Sequence, residues 1–302
     1  MKENLVERIH ELRAKRNAVI LAHNYQLPEV QDIADFVGDS LGLSLEAAKT
    51  EAEVIVFCGV RFMAETAKVI CPEKKVLLPD RQAGCPMADM IDAEGLRDLK
   101  RMHPGAKVLC YVNTTAEVKA ECDLCCTSAN AERIVTTAFP EGEPLIFVPD
   151  RYLAAWVAGR TGRDFIVWKG FCPTHIRILP EHIRAQKRLH PRAEVLVHPE
   201  CPPAVTALAD RVLSTEGMCR YARESAAGEF IIATEIGILH RMSKEAPDKK
   251  FYPATELAVC PNMKLTTLEK VLWALEDMAP EITVPAEIAE RSRASIERML
   301  RS

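Results

Sequence analysis

Three cysteines, each followed by proline, recur at a regular spacing along the chain. They are Cys85, Cys172 and Cys260, separated by 87 and then by 88 residues. A thiolate is a nucleophile and a metal ligand, whereas a single free cysteine is most often a small buried hydrophobic residue. The two other Cys-Pro steps, at Cys71 and Cys201, have no cysteine one period away. The spacing therefore predicts that the three cysteines meet at one metal centre.

The wide separation of these cysteines favours an iron–sulfur cluster over a zinc site. Structural zinc sites use close cysteine pairs and fill all four coordination positions. The one close group, Cys122 with Cys125 and Cys126, has no second pair nearby and is equally typical of a cysteine-rich loop or helix start. A [4Fe-4S] cluster usually has four cysteine ligands, so with three of them one iron would lack a protein ligand. That iron would act as a Lewis acid on a substrate hydroxyl or carboxylate.

Two sets of polar residues repeat with the same period. His23, Tyr111 and His198 end segments that predict strands, and each precedes a cysteine of the trio by 61 or 62 residues. The second set, 44 or 45 residues before each cysteine, is Ser40, Ser128 and Thr215. Hydroxyl and backbone N–H groups at helix starts bind carboxylate or phosphate. Ser128 and Thr215 also fit simple N-caps, and the two histidines also fit hydrogen-bonded core residues.

This long period predicts a small α/β domain that is present three times. Solenoid repeats are shorter, about 20 to 50 residues, and strands that alternate with helices favour parallel sheets. We predict three three-layer αβα domains around a pseudo-threefold axis: residues 1–103 with Cys85, 104–190 with Cys172, and 191–302 with Cys260 and a C-terminal helix. Ligands bind beyond the carboxyl ends of such strands, so one central pocket is expected.

The hydrophobic pattern also predicts individual elements. Residues 29–37 predict a helix, and helical stretches are expected on both sides of Thr127 and Ser128. Each Cys-Pro step is expected to precede a helix, because proline suits the first helical position. A thiolate there would face the amino end of the helix, which favours its charge.

The composition is that of an ordinary globular protein. The 302 residues carry a net charge of −4, which gives no reason to expect nucleic-acid binding. Because the sequence shows no apolar signal region and no long apolar run, we expect a cytoplasmic protein without a membrane partner. Eleven cysteines in such a protein favour metal binding or catalysis over a disulfide framework. No glycine-rich nucleotide motif is present, so a nucleotide cofactor is not expected.

Several motifs together resemble the quinolinate synthase family. They are His23-Asn24-Tyr25-Gln26, Gly38-Asp39-Ser40, Tyr111-Val112-Asn113-Thr114, Cys126-Thr127-Ser128-Ala129-Asn130, Gly170-Phe171-Cys172-Pro173-Thr174-His175, His198-Pro199-Glu200-Cys201 and Ser214-Thr215-Glu216-Gly217. The resemblance covers nearly the whole chain. It implies three α/β domains around a [4Fe-4S] cluster held by Cys85, Cys172 and Cys260. It also implies the condensation of iminoaspartate with dihydroxyacetone phosphate to quinolinate, phosphate and two waters in de novo NAD biosynthesis.

The resemblance also implies residue roles. Tyr25 and Glu200 would handle protons in the isomerisation and dehydration steps. The residues that would bind substrate carboxylates or phosphate are His23, Ser40, Tyr111, Asn113, Ser128, His175, His198 and Thr215. Iminoaspartate would come from an L-aspartate oxidase or dehydrogenase, so a transient contact with such an enzyme is a further expectation. Longer family members carry a Cys-x2-Cys-x2-Cys group near the third ligand, whereas Cys260 stands alone here, which removes a redox switch from that region.

Three other interpretations remain open at this point. A different hydro-lyase with the same cluster would share the cysteine trio. A non-enzymatic iron–sulfur electron carrier or sensor would have a fully ligated cluster and a surface for a partner protein. A structural zinc protein is the least expected of the three, because the spacing of the trio is not that of zinc ligands.

Overall fold

Three parallel sheets of four strands form the framework of the molecule. The structure is a computed structural model, and it describes residues 2–301. Each sheet has the same strand order, with the second strand of the unit at one edge, followed by the first, third and fourth. Helices cover both faces of the sheets. The predicted fold class, three α/β units that each have three layers in the order αβα, is therefore confirmed.

The first unit surrounds a central strand made of a continuous apolar run. The elements in chain order are α1 (Lys2–Lys15), β1 (Ala18–His23), α2 (Pro28–Asp32), β2 (Phe36–Gly38), α3 (Ser40–Lys49), β3 (Val54–Cys58), α4 (Arg61–Ile70), β4 (Lys75–Leu77) and α5 (Ala93–Met102). β1 lies between β2 and β3 and is buried over its last four residues. A run without alternation is typical of a strand covered on both faces.

The second and third units repeat this order. The second contains β5 (Lys107–Tyr111), α6 (Ala116–Lys119), β6 (Leu124–Cys126), α7 (Ala131–Ala138), β7 (Leu145–Val148), α8 (Arg151–Thr161), β8 (Phe165–Val167) and α9 (Pro180–Leu189). The third contains β9 (Glu194–Val197), α10 (Pro203–Thr206), β10 (Arg211–Val212), α11 (Thr215–Glu224), β11 (Glu229–Ala233), α12 (Ile238–Glu245), β12 (Lys250–Pro253), α13 (Leu268–Asp277) and α14 (Ala286–Arg301). Within residues 2–301, no helix combines the length and apolar character needed to cross a bilayer.

Two predicted helical stretches are wrong, and both errors fall on the short second strand of a unit. The helix predicted over residues 29–37 ends at Asp32, and Phe36–Gly38 form the edge strand β2. The stretch just before Thr127 is the strand β6. A strand of three residues is too short to show a period of two, so the pattern gave no sign of it.

A repeated aspartate fixes where each of these second strands begins. The Asp35 carboxylate accepts a hydrogen bond from the backbone N–H of Ile20 at 2.8 Å, and the Asp35 N–H donates back to the Ile20 carbonyl. Asp123 and Asp210 make the same pair of bonds with residues 15 positions earlier. The frame of the three units is thus the same down to individual side chains.

In the second and third units, the helix that follows the cysteine loop packs on the sheet of another unit. α9 packs against β11, and α13 packs against α1 and β3 of the first sheet. The final helix, α14, covers α4, α6 and β6, and so joins the first two units. Neighbouring units therefore share helices, and the boundaries at residues 103 and 190 stay predictions.

Candidate active site

One cavity of about 340 Å³ is lined by residues from all three units. Polar residues at or just beyond the carboxyl ends of β1, β5 and β9 form much of its wall, as the strand-end rule for α/β sheets predicts. Its wall contains Cys85, Cys172, Cys260, His23, Tyr25, Ser40, Tyr111, Asn113, Ser128, His175, His198, Glu200 and Thr215. The structure thus brings all thirteen predicted site residues together.

The three cysteine loops share one backbone conformation. After each Cys-Pro step the chain makes a single 3-10 turn: Ala88–Met90, His175–Arg177 and Asn262–Lys264. The α-helix expected after each Cys-Pro step is present, but it begins seven residues after the proline, so the expected placement of proline at the first helical position is wrong. In each loop the thiol nevertheless accepts hydrogen bonds from the backbone N–H groups two and three residues later. Burial raises the pKa of each thiol, and these two N–H groups partly offset that effect by stabilising the thiolate.

A repeated backbone bond anchors these loops. The backbone carbonyl of the residue two positions before each cysteine accepts a hydrogen bond of 2.8 to 3.0 Å. The donor is a backbone N–H just beyond the third strand of the same unit. These bonds are Arg61 N–H to Ala83, Arg151 N–H to Gly170 and Ile236 N–H to Ala258. At Gly170 a Cβ atom would lie 2.4 Å from the Pro149 carbonyl oxygen, so only glycine fits. The Asn262 amide also donates to the Gly84 carbonyl at 2.8 Å, which ties the third loop to the first.

A chain of short hydrogen bonds crosses the cavity wall. The Tyr25 hydroxyl lies 2.5 Å from the Thr234 hydroxyl, which lies 2.8 Å from Nε2 of His175. Nδ1 of His175 lies 2.8 Å from one oxygen of Glu200, and the Tyr111 hydroxyl donates to the other oxygen at 2.5 Å. The chain therefore links the two predicted proton-handling residues, Tyr25 and Glu200, through two other side chains.

The protonation states along this chain differ. Burial opposes ionisation of Glu200, but the charge and hydrogen bond of His175, helped by His198, lower its pKa to about 2. Burial and the Glu200 charge raise the pKa of Tyr25 well above its ordinary value, and the same two causes raise the pKa of Tyr111. At neutral pH this chain of hydrogen bonds thus contains one carboxylate acceptor and two phenols that keep their protons.

The two strand-end histidines have matching environments. Nδ1 of His23 accepts the backbone N–H of Tyr25 at 3.1 Å, and Nδ1 of His198 accepts that of Glu200 at 3.3 Å. Burial lowers the pKa of both imidazoles to about 3, so both are neutral at pH 7. With Nδ1 as acceptor, the neutral ring carries its proton on Nε2. Nε2 of His198 lies 3.2 Å from the Ser128 hydroxyl, and both side chains line the cavity.

The hydroxyls near the helix starts are not N-caps. Ser214 caps α11 by accepting the Gly217 N–H, and Thr215 is the first residue of that helix. The residue in the cap position of α7 is Asn130, two residues after Ser128. The N-cap interpretation of Ser128 and Thr215 is therefore wrong, and their hydroxyls face the cavity wall instead.

Ser40, like Thr215, is the first residue of a helix whose N-cap is the residue before it. Asp39 caps α3 by accepting the Gly42 N–H at 2.8 Å, and Ser40 is the first helical residue. The Thr215 hydroxyl accepts a hydrogen bond from the Asn24 amide at 2.9 Å, which fixes its position. Two helix amino ends, those of α3 and α11, therefore lie at the cavity, where an anion would be stabilised.

Comparison with known proteins decides the family. Residues 7–301 match the family described as Quinolinate synthetase A protein. The chain is 56% identical to quinolinate synthase of Methanosarcina barkeri over 296 residues, which is 98% of this chain and 97% of that protein. It is 57% identical to quinolinate synthase of Desulforudis audaxviator over 300 residues, 99% of each chain. The chain belongs to the quinolinate synthase family. It is an enzyme of this kind and uses small-molecule substrates.

The donor set of this quinolinate synthase family member fits a metal cluster with three cysteine ligands. Burial raises the pKa of the Cys85 thiol to about 12, and the charges of Cys260 and Glu200 add to this effect. Cys85 in turn raises the pKa of Cys172, so the three thiols influence one another. Metal binding must displace these protons, as is usual for thiolate ligands. Among the described residues, no other cysteine lines the cavity.

A second possible metal site overlaps the first. The ligand atoms of Cys172, His175 and Glu200 all lie within 4.8 Å of one another. Such a set could hold a single ion. Because Cys172 belongs to both sets, only Cys85 and Cys260 distinguish a three-cysteine centre from this alternative.

The remaining cysteine group lies elsewhere in this family member. Cys125 lies on β6, and its thiol is 3.5 Å from the Ser295 hydroxyl on α14. Cys122 donates to the Val118 carbonyl at 3.0 Å. Within the described chain, neither of them nor Cys126 lines the cavity. Cys125 thus belongs to the packing between β6 and α14, whereas Cys122 is bonded to α6.

Three residues near the cavity were not predicted. Glu235 is fully buried, accepts the backbone N–H of Cys260 at 3.1 Å and pairs with Lys264 at 2.9 Å. Lys264 also donates to the Tyr25 carbonyl. Thr234 and Glu235 directly follow β11. The strand-end rule, applied to the third strand of the unit as well as to the first, predicts both residues.

Proposed function

We propose that the chain condenses iminoaspartate with dihydroxyacetone phosphate to form quinolinate, phosphate and two waters. This would be a cytoplasmic step of de novo NAD biosynthesis. The single observation that carries the proposal is that thirteen residues from three units, chosen from the sequence, line one cavity of about 340 Å³. The relatives named quinolinate synthase support the same reaction.

We infer that the cofactor is a [4Fe-4S] cluster held by Cys85, Cys172 and Cys260. Three equivalent loops, each offering a thiol to two backbone N–H groups, suit one cluster with three protein ligands. When bound, the iron without a protein ligand supplies Lewis acidity toward a substrate oxygen or nitrogen.

Both proposed substrates are anions, and the cavity offers neutral donors for them. Ser40 and Thr215 stand at the amino ends of α3 and α11, where backbone N–H groups and the helix dipole stabilise carboxylate or phosphate. The Nε2–H groups of His23 and His198 add two donors, and Ser128 adds a hydroxyl beside His198. We propose that these residues bind and orient the carboxylates and the phosphate.

The same cavity carries an acceptor for the amino or hydroxyl groups of the substrates. The side-chain oxygen of Asn113 is buried and has no hydrogen-bond partner within the described chain. Asn113 lines the cavity between Tyr111 and Glu200. A buried carbonyl without a partner is costly, so we propose that a substrate N–H or O–H group satisfies it.

The proton steps follow from the protonation states. Glu200 is a carboxylate at neutral pH because its pKa is lowered to about 2, so it serves as the proton acceptor. Tyr25 keeps its proton and serves as the donor to a departing hydroxyl. Tyr111 donates its hydrogen bond to Glu200 and orients that carboxylate. Both Tyr25 and Glu200 are buried, which limits the access of water to a labile imine.

The proposed reaction is tested by supplying both substrates to protein purified and reconstituted without oxygen. Quinolinate detected by mass spectrometry, with release of phosphate in equal amount, supports the proposal. A cluster-loaded protein that makes no quinolinate overturns it. A panel of hydroxy acids in the same assay detects a different hydro-lyase, and an electron carrier would show redox activity without turnover of any substrate.

We further propose that an L-aspartate oxidase or dehydrogenase delivers iminoaspartate through a transient contact. The imine hydrolyses in water, so a supply close to the cavity increases the yield. Dilution of a mixture of the two enzymes at a fixed ratio tests this. Yield per enzyme that falls on dilution, and recovers when the two are fused, supports contact, whereas a yield independent of concentration contradicts it.

A further inference from the structure

Thr234 occupies a position between two site residues without contributing to a helix cap or a strand ladder. It follows β11 and is 1% exposed. Both hydrogen bonds of its hydroxyl go to side chains, 2.5 Å to the Tyr25 hydroxyl and 2.8 Å to Nε2 of His175. Among residues 2–301, Thr234 is the one hydrogen-bond partner of the Tyr25 hydroxyl. The orientation of this phenol therefore depends on Thr234.

The fold itself does not require a hydroxyl at this position. The ends of the third strands align through Cys58, Val148 and Ala233. Their partners on the central strands are the residues just before His23, Tyr111 and His198. The residues that follow are Gly59 and Pro149 in the first two units and Thr234 in the third. Glycine and proline offer no side-chain hydrogen bond, so the hydroxyl is particular to the third unit.

The position of Thr234 also connects separate parts of the molecule. Tyr25 follows β1 of the first unit, His175 lies in the cysteine loop that follows β8, and Glu200 follows β9 of the third unit. Thr234 bridges the first two, and His175 contacts Glu200 at 2.8 Å. Within residues 2–301, the Thr234 hydroxyl is the polar group that joins the Tyr25 phenol to the rest of this chain of hydrogen bonds.

We propose that Thr234 is a positioning residue, whose hydroxyl holds the Tyr25 phenol against His175 and so sets its place relative to Glu200. This inference rests on the proposed function, in which Tyr25 and Glu200 act on the same substrate. A catalytic group misplaced by about 1 Å loses roughly 100-fold in rate. Thr234 therefore affects turnover rather than substrate affinity or metal content.

The test compares Thr234→Val, which keeps the shape and removes the hydroxyl, with Thr234→Ser, which keeps the hydroxyl. We expect kcat for quinolinate formation to fall about 10- to 100-fold in the valine variant. KM and iron content should stay near the parent values, and the serine variant should recover most of the rate. Thr266→Val is the matched control, because the buried Thr266 hydroxyl has no partner in the described chain. If Thr234→Val melts at a lower temperature than the parent, Thr234→Ala is used in its place.

Two results would overturn the proposal. One is a valine variant with the kcat of the parent, and the other is a serine variant as slow as the valine variant. If neither the parent nor Thr266→Val makes quinolinate, the proposed function is wrong, and this result says nothing about Thr234. Crystal structures of the variants then test the role of Thr234. The proposal expects the Tyr25 hydroxyl to move away from His175 in the valine variant and to stay in the serine variant. An unmoved phenol in the valine structure contradicts it.

Discussion

The cysteine loops and the strand ends line the same cavity but differ in how far they repeat. The three loops share the Cys-Pro step, the 3-10 turn that follows it and the two N–H groups that face each sulfur. The strand ends repeat in backbone position, but among them only His23 and His198 share a residue type. Their first residues are His23, Tyr111 and His198, and their residues two positions later are Tyr25, Asn113 and Glu200. A cluster with three protein ligands suits three identical donors, whereas two unlike substrates need unlike groups.

This difference distinguishes residues that support the fold or the metal site from residues that act on the substrates. The aspartates that begin the second strands, Asp35, Asp123 and Asp210, repeat fully, and they stabilise each sheet in the same way. Glu200 and Thr234 have no equivalent of the same type in the other two units. Loss of a repeated residue should therefore affect the metal or the fold, and loss of a unique residue should affect turnover.

The largest effect is expected when one of the three proposed cysteine ligands is replaced. Replacing Cys85, Cys172 or Cys260 with serine should abolish quinolinate formation and remove most of the iron and acid-labile sulfide, because in the proposed centre each thiol holds one corner of the cluster. Iron and sulfide assays on anaerobic protein measure this. Cys71→Ser is the matched control, since Cys71 also precedes proline but donates to the Ala47 carbonyl outside the cavity. Iron that remains in Cys85→Ser and Cys260→Ser contradicts the three-cysteine centre.

A smaller effect, confined to turnover, is expected for a unique residue. Glu200→Gln keeps the shape and the hydrogen-bond acceptor but cannot take a proton, so kcat should fall about 100- to 10,000-fold with iron content unchanged. Steady-state kinetics and metal analysis measure both. Glu224→Gln on exposed α11 surface is the control. Loss of iron in Glu200→Gln would instead favour the single-ion site formed with Cys172 and His175.

The loop that contains Cys260 is supported by the ion pair between Lys264 and Glu235. Loss of this ion pair should have a milder effect. Lys264→Met leaves the buried Glu235 carboxylate without its cation, which should cost about 2 to 4 kcal/mol of unfolding free energy given the partly exposed lysine. Because Glu235 also holds the Cys260 N–H, iron should be lost to a chelator faster than in the parent. Chemical denaturation and chelator kinetics measure these effects. The double variant with Glu235→Gln should recover part of the stability, and a double variant less stable than Lys264→Met contradicts the pairing.

The smallest effect concerns the second-unit counterpart of Glu235. Asp150 is fully buried, caps α8 with one oxygen and has no partner for the other in the described chain. Burial, with the charge of Glu200, raises the pKa of Asp150 well above its ordinary value. The folded state then holds a proton that the unfolded state releases, so this group lowers stability as pH rises from about 4.

Asp150→Asn removes this pH-dependent term and keeps an oxygen for the cap. Relative to the parent, the variant should gain unfolding free energy between about pH 4 and pH 7, by about 1.4 kcal/mol for each unit of pKa difference. Urea unfolding at several pH values measures it. A stability difference that stays constant over this range would show that Asp150 is ionised in the folded protein.

The period made much of this molecule predictable, because equivalent loops must occupy equivalent places in three copies of one unit. The second strands were missed because β2, β6 and β10 have only two or three residues. Their signal was the aspartate that precedes each of them, spaced by 88 and 87 residues. Thr234 and Lys264 matter through tertiary contacts with Tyr25, more than 200 residues away in sequence. No local pattern reports such contacts.

The most direct test of the account is the Mössbauer spectrum of protein reconstituted with isotopically enriched iron, recorded with and without quinolinate. Ligation by three cysteines predicts a [4Fe-4S] signal in which about one quarter of the iron changes on addition of quinolinate, because one iron would have no protein ligand. A spectrum in which no iron responds would indicate a fully ligated cluster. A single mononuclear iron site would show that Cys172, His175 and Glu200 hold the metal, and that the three units do not share one cluster.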